Sequence, residues 1–198
     1  LKSPLALVAN LVNIDPPVAV PRTKKKGHPL KIGIISDTHG QVDLALAAAR
    51  EFIFRAVDAV IHCGDIGSDM VLTEMASLFN ALDIPIYAVL GNCDIQQGLE
   101  FFAEVDGINL MGRIAHLTLA NRKIAVLHSD DEAHFEAIIQ SNTYDYVFYG
   151  HSHTRRNDQI EKTRVVNPGA AGRGMHPSCA VVNLLDDEVI FFNIRRSE

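Results

Sequence analysis

The chain has 198 residues, 47% hydrophobic and 21% charged, with 13 Gly and 8 Pro. That length suits one domain, or one with an extension, and the composition excludes a disordered, collagen-like or coiled-coil chain. A net charge of −6 argues against a duplex nucleic acid as partner, and the absence of an apolar run of about 18 residues argues against a membrane span. Cys63, Cys93 and Cys179 are odd in number, scattered and outside any CxxC pair. A disulfide framework or thiolate zinc site is therefore not expected, and a reducing, cytoplasmic setting is.

Residues 1–29 read as an N-terminal arm or linker, since Pro16, Pro17, Pro21 and Pro29 bracket the basic run Arg22 to Lys26. The chain starts at Leu1, and the apolar stretch Leu5 to Val12 keeps an exported precursor open as the second reading. Residues 30–198 form the expected domain. Its first apolar run is Lys31–Ser36. A helical pattern from Asp43 to Arg55 places Leu44, Ala48 and Phe52 on one face. The strand Ala59–Cys63, a helix from Ser68 to Asn80 and the strand Pro85–Leu90 follow. Both connections are long enough for helical crossovers, which predicts three parallel strands buried on both faces.

The second half predicts a hairpin, Ile114–Leu119 and Lys123–Leu127, around Ala120–Arg122. A helix from Asp131 to Gln140 leads to the strand Tyr146–Tyr149. The tail supplies Arg164–Val166, Cys179–Leu184, a turn at Asp186–Asp187, and Val189–Ile194. With no helix between them, these tail strands are expected to be antiparallel. The resulting class is α/β, with two sheets packed face to face and helices outside.

What ends the apolar runs carries the functional argument. Five strands terminate in Asp37-Thr38-His39, Asp65, Asn92, His128 and His151-Ser152-His153. Singly, each residue has an ordinary use as a helix cap, a turn residue or a core histidine. Five polar ends on one C-terminal rim, where open α/β sheets place their sites, point to a ligand. Seven nitrogen and oxygen donors are too nitrogen-rich for Ca²⁺ or Mg²⁺ and suit Mn²⁺, Fe, Co²⁺, Ni²⁺ or Zn²⁺. They exceed the needs of one ion with an open position, and they suit two ions sharing a carboxylate. Two divalent cations, two carboxylates and a hydroxide leave about one positive charge, which a singly charged phosphodiester balances.

The ordered elements Asp37-x-His39, Gly64-Asp65, Gly91-Asn92, His128 and Gly150-His151-x-His153 resemble the calcineurin-like metallophosphoesterase superfamily. With Val166-Asn167-Pro168-Gly169, the chain is most similar to its small bacterial and archaeal phosphodiesterases. The resemblance implies a four-layer α/β/β/α sandwich of two mixed sheets. It also implies Asp37, His39 and His153 on a first metal, Asn92, His128 and His151 on a second, and Asp65 bridging both. Asn92 would also touch a phosphate oxygen, and a metal-bridging hydroxide would be the nucleophile. Mn²⁺ is the implied cofactor, and a small phosphodiester or nucleotide-like ester the implied partner; self-association stays open.

The chain departs from the family's common pattern where Cys93-Asp94 replaces a His able to protonate the leaving group, and at Ser129-Asp130 after His128. Asp94 is a candidate to orient a ligand or a water, with a helix or turn cap as its alternative. Arg155, Arg156 and Arg173 are candidate phosphate contacts or solvated surface residues, and the glycine-rich segment 169–174 reads as a turn rather than a P-loop. The rival function is a non-catalytic interaction scaffold on the same fold, as the superfamily's retromer subunit illustrates. Retention of all seven donors argues for the enzyme.

Overall fold

The computed structural model describes residues 18–19, 30–98 and 106–195. The expected arm therefore lies outside the described residues apart from Val18–Ala19 (β1), which pairs in parallel with the strand at Leu117 and Thr118. The remaining strands are β2 (Lys31–Ile35), β3 (Ala59–His62), β4 (Ile86–Ala88), β5 (Ile108–Leu110), β6 (Ile114–Leu119) and β7 (Arg122–Leu127). They continue with β8 (Tyr146–Tyr149), β9 (Arg155–Ile160), β10 (Thr163–Pro168), β11 (Ser178–Asn183) and β12 (Glu188–Asn193). The helices are α1 (Val42–Phe54), α2 (Asp69–Phe79), the short α3 (Asn92–Gln96) and α4 (Glu132–Gln140). Among the described residues, no helix is long and apolar enough to cross a membrane.

Two six-stranded mixed sheets run in the orders β12-β11-β2-β3-β4-β5 and β1-β6-β7-β8-β10-β9. Strands β2, β3 and β4 are parallel neighbours, as their long crossovers require. The two faces of each sheet bury different sets. Ile32, Ile34 and Ile61 from one sheet meet Leu117, Ile124, Val126 and Phe148 from the other, filling the space between them. On the outer face of the first sheet, Ile35, Val60 and Ile86 pack on Leu44, Ala48 and Phe52 of α1 and on Val71, Met75 and Phe79 of α2. The outer face of the second sheet packs Leu127, Val147 and Val165 against Ile138 of α4. The layers are thus helix, sheet, sheet, helix. Local chemistry sets two helix starts: Ser68 Oγ accepts from the Met70 N–H at 3.3 Å, and Asp131 caps α4 through the His134 N–H at 3.0 Å.

The tail corrects one expectation. β10 is antiparallel to β9 but parallel to β8. The chain crosses the edge first with the polar strand β9, mostly exposed, and inserts the apolar Val165-Val166 of β10 beside β8. Burial decides the order, because the polar segment is stable at an edge and the apolar one inside. The pairs β10 with β9, β11 with β12 and β11 with β2 follow the antiparallel expectation, and the parallel pairing of β10 with β8 departs from it.

Candidate metal centre

Each sheet delivers part of the rim. The first contributes Asp37 and His39 after β2, Asp65 after β3 and Asn92 after β4; the second contributes His128 after β7, and His151 and His153 after β8. Asp37, His39, Asp65, His151 and His153 take φ values of 54°, 44°, 52°, 68° and 56°. A left-handed conformation costs an L-residue about 1 kcal/mol or more, and such strain concentrates where side chains must be aimed. These five turns aim their side chains at one another.

Ligand atoms of Asp37, His39 and His153 lie within 4.8 Å of one another, and so do those of Asp37, Asp65 and His128. His153 Nε2 is 3.2 Å from Asp37 Oδ1, His39 Nε2 is 3.8 Å from Asp65 Oδ2, and His128 Nε2 is 3.3 Å from Asp65 Oδ1. Asp37 Oδ1 lies 4.0 Å from His39 Nε2 and 3.9 Å from His128 Nε2. The His151 ring stands edge-on to His128 with centroids 5.1 Å apart, and the His151 backbone N–H donates to Asp37 Oδ2 at 3.2 Å. Asn92 begins α3 immediately beside Cys93, whose N–H donates to Asp65 Oδ1 at 2.9 Å. All seven sequence-singled residues therefore occupy one rim, with Asn92 and His151 bordering the two tight groups.

The electrostatics suit a cation. Asp37 Oδ1, Asn92 Oδ1 and His128 Nε2 are buried with no hydrogen-bond partner, although buried polar groups are normally paired. Burial pushes the Asp37 carboxyl up. Burial also opposes ionisation of Asp65, yet adjacent His128 and the Cys93 N–H hold its carboxyl well below the usual range. Burial opposes the charged form of His128 too, and Asp65 and Asp37 together raise it nonetheless. Two carboxylates among four imidazoles with lone pairs unspent are a nitrogen and oxygen donor set for divalent transition metals.

Neighbouring groups that sequence reasoning missed hold these donors. His128 Nδ1 lies 2.9 Å from the Cys63 carbonyl, so as a donor it turns Nε2 to the site. Fully buried His62 joins two rim turns: its Nε2 is 2.9 Å from Thr38 Oγ1, which donates to the Ile66 carbonyl, and its Nδ1 accepts the Gly64 N–H at 3.2 Å. Burial holds His62 down to about 3, so it is neutral. Asp94 accepts the Gly67 and Gly91 N–H groups, each at 2.8 Å, which makes it a cap as its alternative reading held. Gly91 has to be glycine, because a Cβ there would strike the Asp65 backbone and carboxylate. Asn167 donates to the Gly150 carbonyl at 2.8 Å and Ser152 Oγ at 3.1 Å, fastening the turn between the two histidines. The Cys93 thiol lies within 4.8 Å of ligand atoms of His39 and Asp65. Residues so far apart in sequence leave no local pattern, and only the motif around Asn167 carried a signal.

A rim of strand-end Asp, Asn and His on two packed mixed sheets defines a metallophosphoesterase, and the calcineurin-like phosphoesterase superfamily domain matches residues 30–187. The chain belongs to that superfamily. It is 31% identical over 161 residues to the phosphodiesterase MJ0936 of Methanocaldococcus jannaschii, covering 80% of this chain and 94% of that protein. A solved structure of an archaeal phosphodiesterase superposes with a TM-score of 0.73 at 28% identity, covering 83% of this chain and 100% of that one. Vps29 of Entamoeba histolytica, solved with zinc, shares the fold at a TM-score of 0.53 and 16% identity, covering 83% of this chain and 91% of that one.

Proposed function

We propose that the protein is a dinuclear metal-dependent phosphodiesterase. In this reading Asp37, His39 and His153 hold one cation, Asn92, His128 and His151 hold the other, and Asp65 bridges them. Manganese heads the candidate metals, with Fe, Ni²⁺, Co²⁺ and Zn²⁺ as alternatives that the same donors accept. The carrying observation is the convergence of buried Asp37 Oδ1 and His128 Nε2, 3.9 Å apart beside Asp65 and each without a hydrogen-bond partner. An uncompensated cluster of this kind is costly, and cations relieve it. Likeness to a protein named as a phosphodiesterase supports the diester over other esters.

When bound, such a metal pair neutralises phosphoryl oxygens and activates a water for in-line attack. The chain's own groups set the geometry. The Cys63 carbonyl fixes the His128 ring, the Cys93 N–H engages one face of Asp65, and the His151 N–H engages Asp37 Oδ2. Asn92 Oδ1 is buried without a hydrogen-bond partner, and its Nδ2 donates one N–H to Cys93 Sγ at 3.7 Å, which leaves the second N–H for a phosphate oxygen. Burial, reinforced by Asp65, pushes the Cys93 thiol up to about 11. At neutral pH it stays an un-ionised thiol, and in this reading the leaving group relies on water or on its own acidity.

The test is hydrolysis of bis(p-nitrophenyl) phosphate with Mn²⁺. Turnover is expected to vanish on chelation and return when Mn²⁺ is restored, with two equivalents bound per chain. Hydrolysis indifferent to chelation, or saturation at one equivalent, would overturn the dinuclear reading.

A further inference from the structure

Of the three arginines flagged as phosphate contacts, two are committed elsewhere. Arg155 donates to the Phe192 carbonyl and Asn193, and Arg156 to Asp158 and Tyr149. Arg173 is exposed and has no ion pair among the described residues. Its backbone is nevertheless placed firmly. The Ala171 and Gly172 N–H groups donate to the Ser36 and Asp37 carbonyls, each at 2.9 Å, which straps this turn to the strand end that carries Asp37 and His39. The approach is so close that a Cβ at Gly172 would strike the Thr38 carbonyl.

Arg173 follows this strapped turn directly and is exposed, so its side chain leaves the backbone beside the strand end that presents Asp37 and His39 to the rim. A singly charged diester already balances the metal pocket, so a further cation at the mouth has no partner in the reacting group. It faces whatever part of the substrate extends outward.

We propose that Arg173 is a specificity residue that anchors a second anionic group, such as a phosphate or carboxylate, carried by the substrate beside the scissile phosphodiester. This rests on the phosphodiesterase reading and narrows it to diesters with a total charge of at least two. A planar guanidinium suits either group, because both accept paired hydrogen bonds.

The test compares two diesters with the same scissile bond: thymidine 5′-(p-nitrophenyl phosphate) and its 3′-phosphorylated form. One extra charge at contact range near a partly exposed site gives the second an advantage of about tenfold in kcat/KM. Arg173→Ala is expected to bring that ratio close to one, and Arg173→Lys to keep much of it, with the preference shrinking as salt rises. A wild-type ratio of one, or a ratio unchanged in Arg173→Ala, overturns the proposal. Calorimetry supplies a readout apart from turnover: thymidine 3′,5′-bisphosphate should bind the wild-type protein about tenfold more tightly than Arg173→Ala. If neither diester is hydrolysed, the phosphodiesterase reading fails by itself, and equal bisphosphate affinities would then sink the Arg173 assignment separately.

Discussion

Between the sheets, Ile32, Ile34, Ile61, Phe148 and Val166 are fully buried and apolar, and all lie within regular strands. At the ends of those same strands, Asp37, His39, Asp65, His151 and His153 adopt left-handed backbone, and several polar atoms have no partner. The interior gains free energy by removing apolar surface from water, about 1.5–3 kcal/mol for each large side chain. The rim spends free energy on strained backbone and crowded donors. The two regions are only three positions apart in sequence, as at Ile34 and Asp37, yet their energetics oppose each other. A site can be held in a costly arrangement because the adjoining strands are over-determined by packing.

The sharpest way to test that separation is to damage each region alone. Asp65→Asn removes the proposed bridging charge while the Asn carbonyl still accepts the Cys93 N–H. Diester hydrolysis should fall at least about 10³-fold, while the metal-free chain keeps its thermal midpoint within a few degrees. Phe148→Ala empties space between the sheets and should destabilise the fold by about 3–5 kcal/mol, leaving the surviving folded molecules able to hydrolyse. Unfolding of Asp65→Asn, or a rate loss in Phe148→Ala without a stability loss, would show that the regions are not separable.

Acid sharpens the comparison, because one buried group links the regions. His62 ends β3 and bonds the turns that carry the rim residues. Its ordinary value near 6.5 falls to about 3 in the folded chain, with burial as the main cause. Between those values the unfolded chain takes up a proton that the folded chain refuses. The contribution is therefore complete above pH 6.5 and is lost as pH falls toward 3, by about 2 kcal/mol at pH 5. Denaturant titrations at pH 7 and pH 5 check this: His62→Gln should lose about 2 kcal/mol less than the wild type over that interval. An equal loss in both proteins would remove His62 from the account.

The same contrast explains what could be read from the chain. The interior was legible because apolar runs with long helical connections admit few arrangements, and the rim because each run stops at Asp, Asn or His. Strand β9 was not, since Arg155–Ile160 is polar and becomes a strand only by pairing with β10. Its insertion also sets β10 parallel to β8, a pairing that the antiparallel expectation for the tail strands did not include. Strand β5, only three residues long, takes its place through β4. Likewise the contacts of His62 with Thr38 and of Arg173 with the rim join residues distant in sequence. No periodicity encodes such meetings; the packed sheets create them.

The mildest expected effect concerns Asn167, which belongs to the interior by burial and to the rim by its bonds. It is fully buried on β10. Its amide donates to the Gly150 carbonyl at 2.8 Å and Ser152 Oγ at 3.1 Å, and its carbonyl accepts the Gly169 N–H at 2.9 Å. Asn167→Ala leaves the seven donors in place but frees the turn that aims His151 and His153. Ser129 Oγ, 3.3 Å from the Gly150 carbonyl, and the Ser152 N–H at 2.8 Å still engage that carbonyl, which limits the damage. Loss of such supporting contacts typically lowers metal affinity about 10–100-fold, and the low end applies here. The Mn²⁺ concentration for half-maximal turnover should rise about tenfold, with the rate recovered at saturating metal. A rate that stays low at saturating Mn²⁺, with unchanged metal affinity, would mean that Asn167 acts on the substrate rather than through the histidines.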